Sequence, residues 1–142
     1  MILQTRVESG TAGRLISGHD GTVTLGSCFS DEIGRRLSET GFNVLCNPFG
    51  TLYNPASIAK SVELLAGGKH FTEDDIVRTP DGFASFFHHA RFYRPTADEF
   101  LDNANRCMER DSEFFAKAGF VLVTYGTAWV FRHRTRNMIV SN

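Results

Sequence analysis

The stretch Thr22-Val23-Thr24-Leu25-Gly26-Ser27-Cys28-Phe29-Ser30-Asp31-Glu32 carries most of the information about the fold. Its first four residues are β-branched or apolar and end at a glycine, the profile of a short buried strand. Ser30-Asp31-Glu32 then reads as a helix start, with two acids near the positive end of the helix dipole. Ile33 and Leu37 share one helical face four residues apart, and Gly41 supplies a left-handed stop. The sum is strand, tight turn, helix.

Outward from this unit the same alternation continues. Residues 42–46 read as a second strand, closed by the turn-rich loop Asn47-Pro48-Phe49-Gly50. Asn54-Pro55 is an N-cap and first-turn pair, followed by Ile58, Val62 and Leu65 at helical spacing up to Gly67-Gly68. Residues 69–95 are the least regular part, with a turn at Thr79-Pro80-Asp81-Gly82 and a crowd of aromatics around His88 and His89. Thr96-Ala97-Asp98-Glu99 is a capping box that opens the clearest helix, whose apolar face runs through Phe100, Ala104, Met108 and Phe115 to Gly119. Residues 120–125 form a continuous apolar run, which predicts a central parallel strand. Residues 129–140 predict a hairpin around a basic turn, and residues 1–20 are a small, polar lead-in.

Strands alternating with helices predict an α/β domain, a parallel sheet flanked by helices, spanning residues 1–142. In such sheets ligands bind beyond the carboxyl ends of the strands. Two predicted strands end there in short polar loops, Gly26-Ser27-Cys28 and Gly126-Thr127-Ala128.

Composition narrows the function classes. A chain of 142 residues is one domain's worth, and 42% hydrophobic with 22% charged residues excludes a disordered tail or a coiled coil. No apolar run reaches the roughly 18–20 residues of a membrane helix, and no secretory signal is visible. Fifteen basic against sixteen acidic residues give a net charge of −1, with no global attraction for nucleic acid or anionic lipid. Three cysteines, at positions 28, 46 and 107, form no CxxC pair. They read as reduced thiols of a cytoplasmic protein, and no metal or cofactor is called for. Thirteen phenylalanines suffice for a sizeable core or a lined pocket.

Gly26-Ser27-Cys28-Phe29-Ser30 after a buried strand resembles the naming motif of the GSCFA family. Asn47-Pro48-Phe49-Gly50 with Leu52-Tyr53-Asn54-Pro55, then His88-His89, then Gly126-Thr127-Ala128-Trp129-Val130 are similar to that family's later blocks, in the same order. The resemblance implies a flavodoxin-like α/β/α sandwich of the kind used by SGNH-type esterases. It places Gly26, Ser27 and Cys28 at the Gly, Asp and nucleophilic Ser of those enzymes' first block. It also implies that the Gly50 amide contributes to an oxyanion hole, and that Gly126 begins the third block, whose Asn is replaced by Ala128. The lead-in has the length expected ahead of the first block, implying an authentic N-terminus. The chain stops at Asn142, where the family continues, which implies an incomplete sheet with an exposed edge and a tendency to self-associate.

The candidate residues each carry two readings. Cys28 is a thiolate nucleophile favoured by the following helix N-terminus, or a small buried residue closing a strand. Ser27 is a weaker nucleophile candidate, or a turn serine bonding local backbone. In extended chain His88 and His89 point to opposite sides, so one of them at most is a base. Asn47, Tyr53 and Asn54 orient a substrate or cap the helix at Pro55. Thr127 and Trp129 line the same crevice, unless Trp129 is core. The expected function is an SGNH-like hydrolase or acyltransferase acting on an ester-like bond of a small molecule or glycan. The alternative is a ligand-binding or scaffold domain on a hydrolase-like frame.

Overall fold

The computed structural model describes residues 15–141 together with Gly10 and Gly13. The remainder of the lead-in and Asn142, and with them the expectations about the two chain ends, lie outside the described residues. In chain order the elements are β1 (Thr22–Gly26), α1 (Cys28–Glu39), β2 (Val44–Cys46), α2 (Pro55–Gly67), β3 (Ile76–Thr79), β4 (Gly82–Ser85), α3 (Ala97–Lys117), β5 (Phe120–Thr124), β6 (Phe131–His133) and β7 (Met138–Val140).

β1, β2 and β5 form a parallel sheet in the order β2-β1-β5, with Thr22 opposite both Val44 and Phe120. Side-chain alternation divides β1 between two layers. Thr22 and Thr24 face α1, which approaches so closely that a Cβ on Gly34 would lie 2.5 Å from Cys46 Sγ and 2.8 Å from Thr24 Oγ1. Val23 and Leu25 face the other way, into a core shared with Ile58 and Leu65 of α2 and Phe100, Ala104 and Met108 of α3. Burying each such side chain contributes about 1.5–3 kcal/mol, so this layer is the main source of stability. The fold is α/β, helices lying on both faces of a parallel sheet. The order β2-β1-β5 matches the first three positions of a flavodoxin-like sheet, whose topological switch point falls between β1 and its outer neighbour β5.

Local signals set most helix ends. Asn54 Oδ1 accepts from Ser57 N at 2.8 Å, Pro55 opens α2, and Gly68 closes it in the left-handed region. Thr96 Oγ1 accepts from Glu99 N at 3.3 Å at the start of α3. The hairpin expected over residues 129–140 is present as β6 paired with β7.

Three expectations are corrected. α1 begins at Cys28, two residues before the predicted start, because Ser30 is not a cap: its buried hydroxyl donates to Leu25 O at 2.9 Å. The irregular region contains the antiparallel pair β3–β4 around the Thr79–Gly82 turn. The apolar run of β5 is not central among the described residues. β1 takes that place, and β5 lies at the sheet edge with Val121 44% and Val123 40% exposed. An apolar run reports the environment a strand suits, not which neighbours reach it.

Candidate functional site

The site candidates gather at the carboxyl end of β1. Gly26 adopts φ 134°, and a Cβ there would stand 1.9 Å from Thr124 O, so only glycine lets the chain turn flat against β5. Behind the turn runs a chain of hydroxyls. Ser30 gives its one proton to Leu25 O, so Thr124 Oγ1 donates to Ser30 Oγ at 2.8 Å, and Ser27 Oγ in turn donates to Thr124 Oγ1 at 3.1 Å. Ser27 N also donates to Thr124 Oγ1 at 3.2 Å. The Ser27 hydroxyl is thereby committed to β5 and leaves the first turn of α1 without a side-chain cap. Cys28, the first residue of that turn, is exposed.

The second wall is the loop after β2. Asn47 takes a left-handed conformation, φ 41°, that lets its side chain bridge two elements. Its Oδ1 accepts from Gly26 N at 2.8 Å, and its Nδ2 donates to Asp31 Oδ1 at 2.7 Å. Thr51 Oγ1 donates to the other Asp31 oxygen at 2.7 Å, and Arg91 Nη1 stands 4.0 Å from the carboxylate. Partial burial alone would raise the Asp31 pKa; the hydrogen bonds from Thr51 and Asn47 and the Arg91 charge outweigh it and hold the group below its ordinary value. Arg91 also donates to Asn47 O, which accepts from Gly50 N at 2.7 Å as well. The Gly50 amide, implied as an oxyanion donor, is therefore engaged within its own loop. A Cβ on Gly50 would lie 2.3 Å from His89 Cβ, so the histidine segment rests directly on this turn.

The two histidines part company. His88 is 5% exposed, with its ring centroid 4.4 Å from Phe92, 4.9 Å from Phe49 and Phe71, and 5.8 Å from Phe100. Its Nδ1 lies 2.6 Å from Ser85 Oγ, and burial depresses its pKa to about 3, so it is a neutral core residue. His89 is half-buried and accepts from Arg91 N at 3.2 Å through Nδ1. Cys46 packs under α1 against Ser30 O and Asp31, and burial pushes its thiol up.

The remaining candidates have mostly local work. Tyr53 O accepts from Gly126 N at 2.9 Å and from Thr127 N at 3.1 Å, tying the two loops together, while the Tyr53 ring packs on Gly126. Thr127 Oγ1 accepts from Trp129 N at 3.1 Å. Trp129 is not core: it is 83% exposed. Asn54 is buried as the α2 cap. Sequence reasoning missed Asp31, Thr51, Arg91 and Thr124. Asp31 was legible only as a helix-start acid, and nothing local marks the others.

Residues 21–142, which include Gly26, Cys28 and the Asn47–Gly50 loop, match the sequence profile of the GSCFA family. The chain belongs to the GSCFA family. No curated protein and no solved structure matches it. Among the described residues no helix is long and apolar enough to cross a membrane. Nor do three or more His, Cys, Asp or Glu side chains among them gather so as to hold a metal ion.

Proposed function

We propose that this GSCFA chain acts as a hydrolase or acyltransferase on an ester-like bond of a small molecule or glycan, in the cytoplasm, with Cys28 as nucleophile. One observation carries the reading: an exposed thiol stands on the first residue of α1, at the switch point between β1 and β5. Helix N-termini favour negative charge through free amides and the dipole, which suits both a thiolate and the oxyanion formed beside it. The sulfur attacks the carbonyl carbon and a C–S bond forms. The C–O bond then breaks, and the alcohol leaves with the former thiol proton, which His89 has taken through Nδ1 on releasing the Arg91 amide. Water, deprotonated by His89, or a second alcohol then cleaves the thioester. His89 is preferred to His88 because His88 is enclosed by phenylalanines and bonded to Ser85. His89 and Cys28 share no hydrogen bond in this state, and catalytic contacts commonly tighten only with substrate bound.

A specific observation also favours the binding-domain alternative. The polar groups of Ser27, Asn47 and Gly50 are engaged in internal hydrogen bonds, as a frame without catalysis would have them. Turnover separates the two, and alkylation tests whether Cys28 can react at all. At pH 7, iodoacetamide is expected to modify Cys28 at least about tenfold faster than the half-buried Cys46, read by peptide mass spectrometry. Turnover of p-nitrophenyl butyrate is expected to fall to background in Cys28→Ser. Equal reactivity of the cysteines in the folded protein would end the covalent mechanism and leave the binding domain.

The β5 edge bears on association. Val121, Val123, Tyr125, Trp129, Val130 and Phe131 are all exposed, and β5 carries no charge or proline to guard it. We infer that the chain self-associates through this edge. Sedimentation should show a concentration-dependent oligomer that Val123→Lys shifts to monomer; an unchanged distribution would refute the edge as the contact.

A further inference from the structure

The Arg91 guanidinium is pinned at the strand-end crevice on three sides. Nη2 donates to Asn47 O, Nε lies 3.3 Å from where a Cβ on Gly50 would stand, and Cζ lies 5.8 Å from the ring centroid of the buried Phe92. A side chain so anchored has given up much of its rotamer freedom before any ligand arrives. Most of its binding capacity is nevertheless unspent. A guanidinium carries five N–H donors, and among the described residues the Asn47 carbonyl takes one of them. Asp31 is a charge partner only. Its Oδ1 lies 4.0 Å from Nη1, beyond hydrogen-bond distance, and its two oxygens already accept from Asn47 and Thr51 at 2.7 Å. The Arg91 side chain remains 44% exposed, so a ligand can reach it.

Arg91 belongs to the same crevice as Cys28. Asp31 stands three residues after Cys28 on α1, and side chains so spaced on a helix have Cβ atoms roughly 5–6 Å apart. The guanidinium begins 4.0 Å beyond the Asp31 carboxylate, within the length of a short substrate. The local charge is positive. Arg94 Nη1 donates to Arg91 O at 3.3 Å, bringing a second guanidinium to the turn, while Glu32 is taken by Arg35 and Arg36. Arg91 and Arg94 against Asp31 leave one positive charge, the complement of one carboxylate, and a guanidinium fork matches that group's two oxygens. We propose that Arg91 is a specificity-determining residue that binds a carboxylate of the substrate. The preferred esters are then half-esters of dicarboxylic acids, with the free carboxylate a few carbons from the scissile carbonyl. The inference rests on the acyl-transfer reading for its role, and on the anchored guanidinium alone for its binding.

The test therefore separates binding from turnover. Calorimetric titration of the full chain carrying Cys28→Ser, at low ionic strength, should show monoethyl glutarate binding at least about tenfold more tightly than the neutral diethyl glutarate. In that background Arg91→Gln should abolish the preference. Arg91→Lys keeps the charge and loses the fork, so it should retain part of the preference. Asp31→Asn removes the competing charge and should raise half-ester affinity about threefold. Thermal midpoints are read beside the titrations, and the lysine variant guards against misfolding of the glutamine one. Hydrolysis of both esters by the unsubstituted chain is followed separately. A binding preference that depends on Arg91, without turnover of either ester, upholds the anchor and refutes the acyl-transfer reading. Equal affinity for the two esters, or a preference that survives Arg91→Gln in folded protein, overturns the anchor whether or not turnover is seen. Inorganic phosphate binding more tightly than the half-ester would overturn the assignment to a carboxylate.

Discussion

Gly26→Ala is expected to destabilise the domain by about 4 kcal/mol or more, a large share of the roughly 5–15 kcal/mol that holds a typical domain together. Two effects add. The backbone at φ 134° is poorly accessible to any residue with a side chain. The new Cβ would also stand 1.9 Å from Thr124 O and 2.8 Å from Thr124 Oγ1, so β5 would have to move off β1. That movement would break the hydroxyl chain from Ser27 to Ser30 and with it the placement of Cys28. Gly41→Ala is the control: its φ is 89°, yet nothing lies within 4 Å of the added carbon. Dihedral strain alone there predicts a loss of about 1 kcal/mol. Urea unfolding of the two variants reads the difference. Equal losses would mean that the contact with β5 is not what demands glycine.

Stability is expected to fall steeply in mild acid because of His88. Its pKa is depressed to about 3 in the folded chain by burial among phenylalanines, against 6.5 when unfolded. A depressed folded-state pKa means that the unfolded chain binds the proton first. The contribution is therefore complete above pH 6.5 and declines as pH falls toward 3. Across that window the slope approaches about 1.4 kcal/mol per pH unit, a total of order 3–5 kcal/mol. Urea midpoints of the native chain at pH 7, 5.5 and 4 should trace this decline. In His88→Gln, which keeps an acceptor toward Ser85, the chain should be less stable at pH 7 and its stability should vary less with pH. The same pH slope in both proteins would show that the His88 proton is not the coupled group.

Helix caps and faces were legible in the sequence because they are settled within a few residues. Asn54 and Pro55 begin α2, Thr96 begins α3, and the phases of Ile58–Leu65 and Phe100–Met108 give the buried sides directly. The strand-turn-helix around Gly26 was legible for the same reason, and so was the gathering of the candidate residues at the carboxyl end of β1, since a parallel sheet opens its crevice beyond its strand ends. Ser30 misled because a serine before an acidic pair looks alike whether it caps a helix or bonds a neighbouring strand. The Ser27–Thr124 bond spans 97 positions, and no local pattern reports it.

Local residue pattern suffices for the α/β alternation, the family, and a glycine-bounded loop with a cysteine at the end of its first strand. Long-range contacts were needed to show that β1 and not β5 is the central strand among the described residues, that His88 is core while His89 rests on the Gly50 turn, and that Asp31 binds Asn47 and Thr51. The division has a physical reason. Helix periodicity and capping depend on neighbours within about four residues, whereas strand order, burial of an individual side chain and the pairing of polar groups depend on which distant segments close over it.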